Sequence, residues 1–279
     1  MKNIVIIPNE SKDIGLSVTK RLIDILSEKA EIKMESRFLN TGFDVDFCEN
    51  EKLYEKADFV IVLGGDGTIL GVAEPCARKN IPILGINLGT VGFMTEVKVE
   101  DMEEAVNSIL SGKYKTQKRM MMKITVIKGG RCSGEYHALN DVVISKKESS
   151  MIGIQIHSQG EKINEYKADG LIISTPTGST GYSLSAGGPV ADPTMELFIA
   201  SPICAHMLHA RPALMPSSKE ILLTSSDKIS GGAILSVDGD IKEHLSPDDE
   251  VLIKKSQYYA SIAKIGNQSF YDVLIDKLR

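Results

Sequence analysis

The chain has few cysteines, no long apolar run, no long basic tract and no low-complexity segment. Its 4 cysteines, Cys48, Cys76, Cys132 and Cys204, are scattered without a Cys-x-x-Cys. That argues against a zinc site and a disulfide framework, and it fits a reducing cytoplasm. No stretch is long and apolar enough to span a bilayer, so no membrane partner is expected. The start, Met1-Lys2-Asn3 followed by Ile4 to Ile7, reads as a first strand ended by Pro8, too short for the apolar region of a signal peptide. Net charge is −5, and without a basic tract nucleic acid is not expected as the main partner. A nucleotide-sized anion is still compatible, because local loops bind anions against the net charge. There are no internal repeats, and no Gly-Lys-Ser/Thr of a Walker A loop.

What is present is the composition of an ordinary globular protein, 42% hydrophobic and 25% charged, over 279 residues. That length suits two domains. The first part alternates strand and helix patterns. Ile4 to Ile7, Phe59 to Leu63 and Ile81 to Ile86 read as strands. Val18, Leu22, Ile25 and Leu26 form a helical stripe, Ile69 to Ala77 another, and Met102 to Leu110 a third, stopped by Gly112. Strands separated by helices imply a parallel, Rossmann-like sheet. After about Lys115 the rhythm changes to short strands: Met122 to Ile127, Val142 to Ser145, Ile152 to His157, Leu171 to Thr175, Glu220 to Thr224, Ala233 to Val237 and Glu250 to Lys254. That spacing suggests a mostly antiparallel domain, with Asp238-Gly239 as a hairpin turn. Phe270, Val273, Leu274 and Leu278 return to helical spacing. The expected division is an α/β domain over 1–116 with 266–279, and a β-rich domain over 117–265.

Gly64-Gly65-Asp66-Gly67-Thr68, directly after the apolar run Phe59 to Leu63, is the most informative segment. The run reads as a buried strand ended by glycines, which are expected to adopt positive φ and to let the backbone approach a ligand. Asp66 then lies at the C-terminal end of a strand, where open α/β sheets bind ligands. A helix beginning there turns its N-terminal amides to the same place and favours phosphate. A carboxylate beside a phosphate site points to phosphoryl transfer to a hydroxyl. Taken alone, the segment is equally compatible with an Asp that caps the helix; the spacing through Gly71 is only a weak dinucleotide fingerprint, with no acidic residue marking the end of a following strand.

Two more segments are candidates. Asp169 to Pro189 opens from a buried strand onto small, hydroxyl and glycine residues with one tyrosine. The hydroxyls suit base edges and sugar hydroxyls, and Tyr182 offers a stacking face. The bland reading is a flexible Ser/Gly loop, disfavoured by the dense turn chemistry after a buried strand. Asn140-Asp141 can grip an adenine or a ribose diol, but Asn-Asp is also a common turn pair. His206 and His209 share a helical spacing without a third ligand, so metal binding there is not expected. Arg211 could hold phosphate or tie its loop down.

In combination these segments are more specific. Gly64 to Thr68, then Asn140-Asp141, then Thr175-Pro176-Thr177-Gly178-Ser179-Thr180-Gly181-Tyr182-Ser183, in that order, resemble the NAD kinase family. Asn87-Leu88-Gly89 to Gly92-Phe93, Arg211-Pro212, Ser236-Val237-Asp238-Gly239 and the closing Tyr271-Asp272-Val273-Leu274 also match. The Gly-Gly-Asp-Gly signature alone is shared with phosphofructokinases and with diacylglycerol or sphingosine kinases. The Thr-Pro-Thr-Gly-Ser-Thr stretch separates the NAD kinases from these.

The resemblance implies a fold of the NAD kinase/diacylglycerol kinase type, and transfer of a phosphoryl group from ATP or polyphosphate to the 2′-hydroxyl of the adenosine ribose of NAD. It implies Mg²⁺ or another divalent cation arriving with ATP, with no tightly held protein metal. It implies that Asp66 contacts the 2′-hydroxyl and that the loop Gly64, Gly65, Gly67 and Thr68 serves the phosphates. Asn140 and Asp141 would hold the adenosine, Thr177 and Thr180 would contact adenine, and Phe93 would flank it. Asp169, Gly181, Tyr182 and Ser185 would lie towards the nicotinamide end, and Lys167 joins this NAD-binding set. It also implies a cytoplasmic homodimer or homotetramer with the site at a subunit interface. Three positions depart from the family's habit: Asp141 stands for a usual Glu, Gly181 for a frequent Ala, and Asp240 for a frequent Gln. A lipid kinase and a non-catalytic NAD(P)-binding regulator are the rival readings.

Overall fold

In a computed structural model the described residues are all but 91, 227–231, 267 and 279, with the side chains of 51 and 278 also set aside. The chain divides into two compact units: Met1–Lys118 with Tyr259–Arg279, and Arg119–Tyr258. In chain order the elements are β1 (Lys2–Pro8), α1 (Ser17–Leu26), β2 (Ala30–Glu35), β3 (Asp46–Cys48), α2 (Asn50–Leu53), β4 (Phe59–Gly64), α3 (Asp66–Lys79), β5 (Ile83–Asn87), β6 (Val97–Lys98) and α4 (Met102–Leu110). There follow β7 (Lys115–Lys128), β8 (Arg131–Ala138), β9 (Asp141–Lys146), β10 (Ile152–Ser158), β11 (Glu161–Ala168), β12 (Gly170–Ser174), α5 (Tyr182–Ser185), β13 (Leu197–Ile203) and β14 (Ala213–Pro216). The chain ends with β15 (Ile221–Ser225), β16 (Ala233–Val237), β17 (Asp240–Leu245), β18 (Glu250–Lys264) and α6 (Phe270–Leu278).

The first unit is an α/β sheet in which β3-β2-β1-β4-β5 lie side by side, all parallel. The far edge of β5 meets the end of β18 at Ile262 and also carries β6. Every residue of β4 and β5 is buried, as the apolar runs of a parallel sheet covered on both faces require. α1 presents Leu22, Ile23 and Leu26, and α4 presents Met102, Ala105, Val106 and Ile109, to one cluster with Ile4, Ile6, Phe59, Ile61 and Leu84. Strand order reverses between β1 and β4, and open sheets of this type bind ligands in the crevice beyond such a switch point.

The second unit is built from antiparallel strands. One sheet runs β14-β13-β12-β9-β16-β17. A second ladder joins β11, β10, β15 and β18, and β7 and β8 form a hairpin. β12 is buried at every residue between β9 and β13. It delivers the chain at Ser174 directly into the Thr175 to Gly181 stretch. The β16–β17 turn is Asp238-Gly239 with φ of 48° and 91°, the positive-φ pair that a tight hairpin asks for.

Candidate active site

At the switch point the C-terminal ends of β1 and β4 are tied together. Asn9 N–H donates to the Leu63 carbonyl at 2.8 Å, and Asn9 Nδ2 donates to Thr68 Oγ1 at 3.0 Å. Asn9, Ser11, Arg37, Gly67 and Thr68 line a cavity of about 460 Å³ there. Gly65 is the residue before α3, and Asp66 opens the helix, so Asp66 is not its cap. None of Gly64, Gly65 and Gly67 has a positive φ, contrary to the expectation from sequence. What Gly64 satisfies is close packing: a Cβ there would stand 3.0 Å from Thr68 Cβ and 3.1 Å from Asn9 Cβ.

The Asp66 carboxylate is held by a single loop. Oδ2 accepts the Phe93 amide at 2.8 Å. Oδ1 accepts the amides of Met94 at 3.0 Å and Thr95 at 3.1 Å, and the Thr95 hydroxyl at 3.1 Å. A carboxylate offers about four acceptor positions, two on each oxygen. Oδ1 is therefore saturated, while Oδ2 retains room for one further donor. The loop is closed by Gly92 N–H on the Thr95 carbonyl at 3.2 Å. It is pinned from β5 by Asn87, whose Nδ2 donates to the Thr90 carbonyl at 2.7 Å and to Thr95 Oγ1 at 2.9 Å. Gly92 is obligatory in this arrangement, since a Cβ would come within 2.6 Å of Asp66 Cγ and closer still to Oδ1. The Phe93 ring packs on Phe270 with centroids 5.6 Å apart, and the Lys277 ammonium lies 4.9 Å from the ring centroid.

In the second unit Asp238 gathers the chain where β9 begins. Its carboxylate accepts the amides of Leu139 and Asn140 at 2.8 Å and of Asp141 at 3.0 Å. Burial pushes the Asp238 carboxyl above the usual carboxylate range, the three amides act the other way, and Asp240 adds to the rise. Asp141 is buried beside it, and burial, then Asp238, push its carboxyl up to about 7. Thr175 closes onto the same segment: its N–H donates to the Asn140 carbonyl at 2.8 Å and its hydroxyl to the Leu139 carbonyl at 2.5 Å. Asn140 Oδ1, Ser174 Oγ and Thr177 Oγ1 are buried with no hydrogen-bond partner among the described residues. Buried polar atoms are normally paired, so three orphans at one strand junction suit a ligand rich in donors and acceptors.

The structure thus brings Asn140, Asp141, Thr177, Thr180 and Gly181 together: Gly181 N–H donates to the Gly178 carbonyl at 2.9 Å, and a Cβ on Gly181 would lie 3.7 Å from Asn140 Nδ2. Residues 177–180 form a short 3-10 turn followed by α5, ordered structure rather than a flexible Ser/Gly loop. Tyr182 and Ser185 are exposed on α5. Asp169 pairs with Lys146 at 2.6 Å, and Lys167 is exposed on β11. The Lys167 carbonyl accepts the His206 amide at 2.8 Å. Among the described residues no cluster of three or more His, Cys, Asp and Glu side chains is arranged to hold a metal. The spacing pattern did not single out Asn9 or Thr95 as functional, because each acts through a long-range bond with no local motif. Asp238 was visible as half of an Asp-Gly turn and within the matching Ser236 to Gly239 segment, but not as the acceptor for Leu139, Asn140 and Asp141.

A parallel sheet with a Gly-Gly-Asp-Gly loop at its switch point, followed by an antiparallel β unit, defines the NAD kinase/diacylglycerol kinase type of fold. Residues 17–114 match the family model of the ATP-NAD kinase N-terminal domain, and residues 139–265 that of the ATP-NAD kinase C-terminal domain. A NAD kinase of Thermoanaerobacter sp. (strain X514) is 39% identical over 281 residues, covering 100% of this chain and 99% of that protein. A NAD kinase of Natranaerobius thermophilus is 37% identical over 284 residues, covering 100% and 98%. Among solved structures, a NAD kinase from Archaeoglobus fulgidus in complex with ATP is 27% identical, with a TM-score of 0.76 over 100% of this chain and 99% of that one. Yeast NADH kinase complexed with NADH shares the fold, with a TM-score of 0.89 at 23% identity over 99% of this chain and 86% of that one. The chain belongs to the NAD kinase family.

Proposed function

We propose that the protein transfers the γ-phosphoryl group of ATP to the 2′-hydroxyl of the adenosine ribose of NAD, forming NADP and ADP. The observation that carries the reading is the Asp66 carboxylate, fixed by four donors yet open at Oδ2 to one more. A ribose hydroxyl is that donor. Phosphoryl transfer needs positioning and charge stabilisation more than covalent chemistry. Asp66 aligns the hydroxyl oxygen on the γ-phosphorus and accepts its proton as the new P–O bond forms and the bond to the ADP oxygen breaks. The proton then leaves Asp66 to solvent.

The donor's phosphates are assigned to the Gly64, Gly65, Gly67 and Thr68 loop at the start of α3, where Gly67 and Thr68 line the switch-point cavity and a helix N-terminus favours anions. A divalent cation carried in on the donor's phosphates would supply charge neutralisation for the moving γ-phosphoryl group. On the acceptor side, Asn140, Asp141, Thr177 and Thr180 are assigned to the adenosine, and Phe93 to its flank. Lys167, Asp169, Gly181, Tyr182 and Ser185 are assigned to the remainder of NAD. The orphan oxygens of Asn140 and Thr177 support the adenosine assignment.

We also assign the chain to the cytoplasm as a homo-oligomer. None of the described helices is long and apolar enough to cross a membrane. Met195, Leu208 and Leu214 are exposed apolar residues in the second unit that a neighbouring copy would cover. Incubation of the purified protein with NAD and Mg-ATP, with NAD and polyphosphate, and with NAD alone tests the activity, with NADP read by a coupled NADP-specific dehydrogenase. NADP forms with Mg-ATP. No NADP with either donor would return the protein to a binding-only role, and phosphorylation of diacylglycerol instead would assign it to lipid.

A further inference from the structure

The loop that grips Asp66 does not end at Thr95. The next residue, Glu96, ion-pairs with Lys264, which lies 168 positions further along the chain in the last part of β18. Both side chains are largely buried, 12% exposed for Glu96 and 17% for Lys264. A buried ion pair is a poor source of net stability, but removing one partner leaves an uncompensated buried charge and is costly. The pair therefore acts as a firm tether between β18 and the loop. Asn87 holds the same loop from the β5 side through Thr90 and Thr95. The three amides and one hydroxyl on Asp66 come from Phe93, Met94 and Thr95, the residues between these two anchors.

We propose that Lys264 is a positioning residue for the phosphoryl transfer: through Glu96 it fixes the loop whose amides orient the Asp66 carboxylate. The inference rests on the reading of Asp66 as the group that addresses the acceptor hydroxyl. Burial lowers the pKa of Lys264 to about 8, and the Asp66 carboxylate opposes that fall. At neutral pH Lys264 is mainly cationic, the form the tether requires. Lys113 and Lys115 line a cavity of about 300 Å³ with Lys264. Their like charges make Glu96 the more necessary as its counterion.

The test is steady-state kinetics on Lys264→Met, Lys264→Arg, Glu96→Gln, the Lys264→Met/Glu96→Gln double variant and Asp66→Asn, with NAD affinity measured by calorimetry. Displacing a catalytic group by about 1 Å can cost about 10²-fold, so Lys264→Met is expected to lower kcat by about tenfold or more. The KM for NAD should stay within about twofold, because the loss is confined to the transition state. Glu96→Gln should behave alike, and the double variant should lose no more than about twofold beyond either single change, since the two side chains act as one unit. Lys264→Arg, which keeps the charge, should recover most of the lost kcat. A folded Lys264→Met enzyme with kcat within about twofold of the unaltered protein, or one that changes only KM, overturns the inference. If Lys264→Met does not fold, Glu96→Gln and Lys264→Arg decide the question by the same readouts. Asp66→Asn separates the two levels: full turnover by that variant refutes the role of Asp66 itself, whereas an inactive Asp66→Asn beside an active Lys264→Met refutes only the tether.

Discussion

Replacing Gly92 by alanine tests the steric logic of the Asp66 loop. The backbone of Gly92 is not in the left-handed region, so alanine adds a methyl group without backbone strain. That methyl would lie 2.6 Å from Asp66 Cγ, and ordinary contact begins near 3.4 Å. Asp66 Cγ must therefore retreat by about 0.8 Å and Oδ1 by more, or the loop must open. Either movement breaks some of the bonds from Phe93, Met94 and Thr95. Hydrogen bonds to a charged group are worth about 1.5–3 kcal/mol each, so losing two of them costs about 3–6 kcal/mol of local order. A displacement of about 1 Å corresponds to about 10²-fold in rate. Gly92→Ala is thus expected to cut kcat by about two orders of magnitude. The affinity for NAD should change far less, because Asn140, Asp141, Thr177 and Thr180, the proposed adenosine contacts, lie outside this loop and only the flanking Phe93 moves with it. The assay is NADP formation under saturating NAD and Mg-ATP, with a thermal melt to establish that the variant is folded. A folded Gly92→Ala protein with kcat within about threefold of the unaltered enzyme would show that Asp66 does not need this loop, and would refute the reasoning.

Two further predictions concern the second unit. Asp141→Asn should raise the melting temperature more at pH 8 than at pH 5. Its carboxyl titrates near 7 in the folded protein against an ordinary 3.8, so the stability it contributes is full below about pH 4 and lost as pH rises through 7. Between pH 5 and pH 8 the difference corresponds to about 3 kcal/mol, and an unchanged melting gap across that pH range would contradict the buried carboxyl pair. Asp238→Ala strips the acceptor from the amides of Leu139, Asn140 and Asp141. At about 1–3 kcal/mol per orphaned donor it should destabilise strongly and, where protein survives, raise the KM for NAD. A variant of normal stability and normal KM would remove Asp238 from the account.

How much of this was legible in the sequence depended on how local the cause was. The β4–α3 junction was readable because a β-branched run ended in glycine, and the β16–β17 turn because Asp-Gly supplies two positive-φ residues. β8, β11 and β17 went unread: their burial patterns are mostly exposed, so apolar alternation, the usual strand signal, is missing. β18 was traced only to Lys254, since Lys255-Ser256-Gln257 interrupts the apolar pattern in a strand that continues to Lys264. The candidate site divides the same way. Asp66, Asn140 and Asp141 announced themselves by motif. Thr95, Glu96 and Lys264 did not, because their partners lie 29 and 168 residues away and nothing in the local spacing encodes them.

The central claim is that Asp66 addresses the acceptor hydroxyl, and Asp66→Asn tests it most directly, with turnover and NAD affinity measured on the same preparation. The amide keeps the size of the side chain but cannot take the proton, and general-base contributions run about 10²–10⁴-fold. The account predicts kcat lower by about 10³-fold with the NAD dissociation constant within about threefold. Near-normal turnover would contradict it, and loss of NAD binding instead of turnover would recast Asp66 as a binding group alone.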